Sequence, residues 1–274
     1  MTGVQTCALP IFSILPYVGS KRTDLKYFIK DLPKHVTKIV EPFGGSGYVS
    51  LAFFAENRNI KCHINDIDEE LINFFTQTKK YPQKILAGYN SLIENITKRS
   101  FRKVIEKYKS GKGTKPQRAV LFLFFHRVHG IRMGLYPKGK SFLPLTMEDY
   151  PEFFSWIKVT KFTCKDYQYV FNKYKNIKSA FMFVDPPYLD SFNAYYSSYG
   201  SQTKKLDDDK VIQDNTQVFV DIVDFFNSAK CKIMLIINKN AITSRLYEKY
   251  IVDEYDKIYQ MTKKKTKHLV ICNY

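Results

Sequence analysis

The 274-residue sequence predicts an α/β protein: one doubly wound, mostly parallel sheet that closes in a C-terminal antiparallel hairpin and is interrupted by a helical insert. Three observations predict it. Two zones alternate short apolar runs with helix-patterned segments, which is how strand–helix–strand crossovers build a parallel sheet. A basic stretch without that alternation lies between them. Two strand-like runs around a Lys-rich turn end the chain, as a hairpin requires.

In the first zone, residues 37–43 form a short apolar run that leads into Gly44-Gly45-Ser46-Gly47, and a helix is expected from about Tyr48 to Glu56. Residues 61–66 predict a second strand, with Asp68 capping a helix that runs to about Phe75. The middle zone, 77–158, is mainly helical by pattern, with a Gly/Lys break at 110–114. In the third zone, 158–164 and 180–184 predict strands, 208–228 a long helix, 231–238 an apolar strand and 241–249 a further helix. Residues 251–261 and 267–274 supply the hairpin. The expected organisation is one lobe from 13–76 and 159–274 that carries 77–158 as an insert. Residues 1–12 (MTGVQTCALPIF) match nothing else in the pattern and are read as a non-native or disordered leader.

Composition narrows the function before any motif is read. With 45% hydrophobic and 25% charged residues, the chain can bury a sizeable core as a soluble globular protein. Its longest apolar run, 119–125, is far too short to span a bilayer, and residues 1–12 lack the pattern of a secretory signal. A cytoplasmic location is expected. The five cysteines, Cys7, Cys62, Cys164, Cys231 and Cys272, form no CxxC pair and suit buried, reduced thiols. His126 and His129 lack a supporting ligand cluster, so no metal site is expected. Charge points elsewhere. Against 26 Asp/Glu stand 43 Lys/Arg, a formal +17, and residues 79–145 alone hold 16 Lys/Arg against two Asp/Glu. An excess so local predicts a polyanionic partner, because each neutralised phosphate releases counterions.

Two constellations carry chemistry. Glu41-Pro-Phe-Gly-Gly-Ser-Gly47 joins a strand to a helix; its glycines let the backbone approach a ligand, and the helix N-terminus favours polar or anionic groups. Asp66 ends the next strand 19 positions after Gly47, where nucleotide-binding α/β folds set a carboxylate on a ribose. A dinucleotide site would want a third glycine where Ser50 stands, which disfavours a nicotinamide-dependent oxidoreductase. The second constellation is Phe181-Met-Phe-Val-Asp-Pro-Pro-Tyr188. Here a buried strand delivers a carboxylate, two rigid prolines and an aromatic ring. Methylation of an exocyclic amine wants this set. Such a nitrogen is a poor nucleophile while its lone pair is delocalised into the ring. Asp185 and the Pro186 carbonyl can accept its two hydrogens and turn the lone pair towards a methyl sulfonium, while Tyr188 stacks on the base.

With these residues in view, the chain resembles the Dam-like, alpha-group adenine-N6 DNA methyltransferases from about Ile14 to its last residue. Pro16-Tyr-Val-Gly-Ser-Lys21 is similar to the family's opening motif, with Ser20 where a second glycine is usual. Glu41–Gly47, Asn65-Asp66-Ile67-Asp68, Asp166 and the unchanged Asp185-Pro186-Pro187-Tyr188 follow in the alpha order, and 235–238 and 270–274 resemble its late strands. The resemblance implies a Rossmann-like sheet and S-adenosylmethionine as cofactor. Tyr17, Lys21, Glu41, Pro42, Phe43, Gly44, Gly45, Ser46, Gly47, Asp66, Ile67, Asp166 and Asp185 would hold that cofactor. Catalysis would fall to Asp185, Pro186, Pro187 and Tyr188, acting on an adenine flipped out of double-stranded DNA by a monomeric restriction–modification enzyme.

The insert departs from the family pattern. Phe125-His-Arg127, Gly130-Ile-Arg132 and Ser141-Phe-Leu-Pro144 keep its Arg and Gly positions but lack its asparagines. Arg127 and Arg132 are expected at base edges or phosphates, and Lys98, Arg99, Arg102 and Lys103 at phosphates. The competing readings are cytosine N4 or RNA adenine as acceptor, and a catalytically silent nucleic-acid-binding relative. The Asp before Pro-Pro-Tyr favours adenine by resemblance, and the intact motifs argue against a silent relative.

Overall fold

The computed structural model describes residues 12–17, 19–94, 96–129, 142–187, 208–258 and 265–274. Among them, seven strands form one sheet in the order β3-β2-β1-β4-β5-β7-β6. β1 (Lys38–Glu41) lies between β2 (Lys61–Asn65) and β4 (Ala180–Val184), with β3 (Lys161–Thr163) beyond β2 and β5 (Lys232–Asn238) beyond β4, all parallel. β7 (Lys265–Cys272) runs antiparallel between β5 and β6 (Ile251–Ile258). The chain winds outward from β1 to β3 and then returns across β1 to start β4. This reversal makes the carboxyl ends of β1 and β4 the switch point, where open α/β sheets bind ligands.

The sheet is covered on both faces, so its central strands read as continuous apolar runs. β4 is buried at all five positions. Its alternate residues serve alternate faces: Phe181 and Phe183 join one core cluster, while Ala180, Met182 and Val184 join the other. The first face is packed by α2 (Tyr48–Glu56), α3 (Glu69–Lys80) and α7 (Pro151–Val159), through Leu51, Phe74, Phe75 and Trp156. The second is packed by α8 (Tyr167–Tyr174) and the long helix α9 (Asp208–Ser228), whose Phe219, Ile222, Phe225 and Phe226 fall on one stripe.

Between α3 and α7 the chain adds α4 (Pro82–Glu94), α5 (Lys98–Lys109) and α6 (Lys115–Phe124). These helices share the core of the first face. Phe122 stacks on Phe74 at 5.5 Å, and Arg118 of α6 donates to Glu70 of α3 at 2.9 and 2.7 Å. A π-helical turn, Phe125–His129, follows α6.

Sequence and structure differ at element ends. The expected strand 158–164 shrinks to Lys161–Thr163, because Phe153, Trp156 and Ile157 continue a buried helical stripe to Val159. The helix capped by Asp68 runs past Phe75 to Lys80; Asp68 accepts from the backbone of Glu70 and Leu71, as expected of the cap. The expected helix 241–249 divides into α10 (Ala241–Leu246) and a 3-10 turn at Glu248–Tyr250. Of the leader, only Phe12 is described; the Arg22 guanidinium lies 4.8 Å above its ring.

Candidate active site

β1 delivers Glu41 and the glycine turn to the switch point. The turn is tied to β2, where the Gly44 N–H donates to the Asn65 carbonyl at 2.7 Å and Asn65 Nδ2 to the Pro42 carbonyl at 3.0 Å. Its glycines answer different demands. A Cβ on Gly44 would stand 2.3 Å from Ile64 Cγ2. Gly47 has φ +64, and a Cβ there would meet the Trp156 ring at 2.8 Å. Both are glycine so that the turn can pack on its own core. At Gly45 a side chain would meet only the Tyr17 ring, at 3.6 Å, so this is the glycine whose outer face suits a ligand.

Carboxylates surround the turn. Asp66, half-buried at the end of β2, accepts from the Gly45 N–H at 2.9 Å and from the Asp68 N–H at 3.0 Å, and burial pushes it up to about 6. Tyr17, whose ring lies 5.3 Å from that of His126, donates to Asp68 at 3.4 Å. Ser46 donates to Ser20 at 3.1 Å, joining the turn to the opening motif. Phe43 stacks on Tyr167 at 5.1 Å, and Ile67 stands 74% exposed beside Asp66. Asp166 is exposed and caps α8 through the Gln168 N–H at 2.8 Å.

Glu41 is buried and accepts from the Ser50 N–H at 2.8 Å, yet burial pushes it up to about 8. An unfolded glutamate ionises near 4.5, whereas Glu41 keeps its proton in the fold up to about pH 8. Folding stability is therefore lost as pH rises through that window. Glu41→Gln, which copies the neutral form, is expected to raise Tm relative to the parent at pH 9 and to change it little at pH 4. A gain of about 2–4 kcal/mol at the higher pH corresponds to most of this shift. Thermal scans at the two pH values check it; equal effects at both would place the proton elsewhere.

β4 delivers Asp185, followed by buried Pro186 and half-buried Pro187. Asp185 Oδ2 lies 2.5 Å from Nζ of Lys21, whose own exposure is 4%. Burial by itself would lower the Lys21 pKa, but the Asp185 carboxylate outweighs it and the result is raised. Lys21, expected at the cofactor, thus grips the expected catalytic carboxylate. A second buried pair, Asp24 with Lys257 of β6, lies behind the first; burial and then the charge of Lys21 lower Lys257. Asp24 and Lys257 escaped the sequence reading. They are 233 residues apart, and only the heavy charge on an otherwise half-apolar strand hinted at them.

The expected DNA contacts divide. Lys98, Arg99, Arg102 and Lys103 all lie exposed on α5, whose Phe101, Ile105 and Tyr108 face the core, and among the described residues none is in an ion pair. Arg127, also expected at DNA, has protein partners in the structure. Its Nη1 donates to the Ile14 carbonyl at 2.8 Å and its Nε to Tyr89 Oη at 3.3 Å, so it fastens the π-turn to the N-terminal segment. Arg132 and Tyr188 lie outside the described residues.

A doubly wound sheet with a reversed final strand, and a glycine turn and Asp-Pro-Pro at the switch point, define the α/β methyltransferases that act on amines. The family model for D12 class N6 adenine-specific DNA methyltransferases matches residues 17–267, and the chain belongs to this family. It is similar to the type II methyltransferase M.CviBI of Paramecium bursaria Chlorella virus NC1A, 26% identical over 95% of this chain and 99% of that protein. It is also 26% identical to the type II methyltransferase M.MjaIII of Methanocaldococcus jannaschii, over 72% of this chain and 76% of that one. The protein is an adenine-specific DNA methyltransferase. No helix among its described residues is long and apolar enough to cross a membrane.

Proposed function

We propose that the protein is a cytoplasmic, monomeric enzyme that methylates N6 of a flipped adenine at a specific site in double-stranded DNA, with S-adenosylmethionine as donor. The observation that carries this reading is Asp185, held by buried Lys21 at the switch point next to an acid-lined glycine turn. The cofactor fits that donor set. Its ribose suits Asp66, a carboxylate that the Gly45 and Asp68 N–H groups fix at the end of β2. Its positive charge suits an edge that gathers Asp66, Asp166 and Asp185. Exposed Ile67, next to Asp66, and the stacked Phe43 and Tyr167 rings are apolar surface suited to a purine. When bound, S-adenosylmethionine supplies an electrophilic methyl group on a cationic sulfur.

The chain's own residues do the rest. Lys21 holds the Asp185 carboxylate in place at 2.5 Å, so that it can accept one amine hydrogen while the Pro186 carbonyl accepts the other. The nitrogen lone pair is then freed from the ring and aimed at the methyl group. Tyr188 stacks on the extruded base and offsets part of the unpairing cost. Residues 77–158 serve as the target-recognition insert, with α5 on the phosphates.

Transfer of labelled methyl from S-adenosylmethionine, followed by hydrolysis of the product to nucleosides, tests the reaction. Label in N6-methyladenine of duplex DNA is expected; label on cytosine, or on RNA in preference to DNA, would overturn the assignment. In the same assay, neutralising Lys98, Arg99, Arg102 and Lys103 is expected to weaken binding to all sequences alike. The log–log salt slope should fall by about 0.9 for each lost contact. An unchanged slope removes α5 from the DNA interface.

A further inference from the structure

The parallel strands carry the active site at their carboxyl ends, so their first residues line the opposite edge of the sheet. Lys161, Lys61, Lys38 and Lys232 open β3, β2, β1 and β5, and Lys178 stands two residues before β4 begins. These strands are consecutive in the sheet. At about 4.8 Å between neighbours, the edge they share is about 19 Å long; Lys161 lies level with His63, and Lys232, level with Phe181, turns to the other face from Lys38 and Lys61. Lys173, on the last turn of α8, joins this edge beside Lys161.

Nothing in the fold asks for this row. Lysine is depleted in strands, and a strand start needs no charge. Outside 79–145 the chain is nearly balanced, with 27 Lys/Arg against 24 Asp/Glu, so a run of cations there is a local excess. Some lysines of the same lobe are paired, as Lys30 is with Asp253 and Lys267 with Glu254. Among the described residues none of these six is in an ion pair. Lys38 lies over the Tyr174 ring at 5.2 Å, and Lys232 over the Tyr274 ring at 5.8 Å. Close contact with Lys173 and its charge push Lys161 below the usual lysine range. Burial, then Lys161, Lys173 and Lys38, lower His63 behind them to about 4, so its ring stays neutral and adds no charge of its own. Bound phosphates would relieve the crowding of like charges and release counterions.

We infer that this lysine edge grips the phosphate backbone of a second DNA segment while the first is engaged at the catalytic edge. The two edges are separated by a strand's length, about 13–20 Å, so a duplex seated at one does not cover the other. The inference rests on DNA being the substrate polymer, which is the polyanion always at hand. Its consequence is that an enzyme on one site holds a neighbouring stretch of DNA within reach, which favours transfer between segments over release into solution.

The test uses the full chain and short duplexes carrying two different fluorophores. Sedimentation is expected to find one chain with two duplexes at about 50 mM salt, a regime in which phosphate contacts are strong. The variant carrying Lys61→Gln, Lys161→Gln, Lys173→Gln and Lys178→Gln should bind a single duplex, with unchanged Tm and with turnover on that duplex within about twofold. Each of these four side chains is exposed, so the fold survives their replacement. A wild type that binds one duplex, a complex of two chains with two duplexes, or a variant that keeps the second duplex would each overturn the inference. Displacement of the second duplex by inorganic polyphosphate or RNA at far lower phosphate concentration would overturn DNA as the occupant. Methyl transfer is read in the same samples: intact transfer without a second duplex sinks only this inference, whereas absent transfer by the wild type sinks the catalytic reading.

Discussion

Asp185→Ala is expected to abolish methyl transfer, lowering kcat by about 10²–10⁴-fold, the range seen when a positioned proton acceptor is removed. Cofactor binding, followed by calorimetry, should survive, because the donor set at Glu41, the glycine turn and Asp66 is untouched. The structure adds a second consequence. Lys21 is 4% exposed and its ammonium is paired with Asp185, so the alanine variant leaves a buried cation without its carboxylate. Breaking such a pair from one side costs about 3–5 kcal/mol unless the lysine sheds its proton. Tm should therefore fall along with activity. Adding Lys21→Met removes the orphaned charge and should restore most of the Tm, but none of the turnover. That split separates a chemical role from a structural one. Near-normal turnover by Asp185→Ala, or recovery of activity in the double variant, would remove Asp185 from the chemistry.

Gly47→Ala is expected to be the most damaging small change in the cofactor turn. Gly47 has φ +64, a conformation that costs a residue with a Cβ about 1–2 kcal/mol, and the new methyl would lie 2.8 Å from two atoms of the Trp156 ring. Trp156 is fully buried and donates to Ser50 Oγ at 3.2 Å, so it has little room to retreat, and overpacking of this kind adds about 1–3 kcal/mol. Together these predict a fall in Tm of roughly 5–15 °C and weakened S-adenosylmethionine binding. Trp156→Phe in the same chain deletes the two ring atoms that the methyl would strike. It should recover the packing part of the loss and leave the backbone part. If Gly47→Ala is as stable as the parent, or if Trp156→Phe adds its own loss in full, the contact is not the reason for glycine here.

Much of this protein is determined by local sequence. Period-two and period-3.6 patterns, turn glycines and the Asp68 cap depend on neighbours within a few residues, so β4, α2 and α9 could be read from the chain in their full extent. That the glycine turn, Asp66 and Asp185-Pro186-Pro187 stand at strand ends was equally legible, because glycine and proline punctuate strands. The boundary at 158–164 was not legible: a lysine followed by apolar residues suits a helix end as well as a strand, and only the packing of Trp156 against the glycine turn decided it.

Charges were the least legible feature, since a side chain's partner is set by long-range geometry. The sequence assigned Lys21 to the cofactor and Arg127 to DNA, while the fold gives the first to Asp185 and the second to Ile14 and Tyr89. It located the basic excess in the insert. The gathering of Lys161, Lys61, Lys38 and Lys232, scattered over 195 positions of sequence, became visible only when parallel strands of known order brought their first residues to one edge of the sheet. Local chemistry specified which groups the protein carries; the sheet's order and direction decided which of them meet.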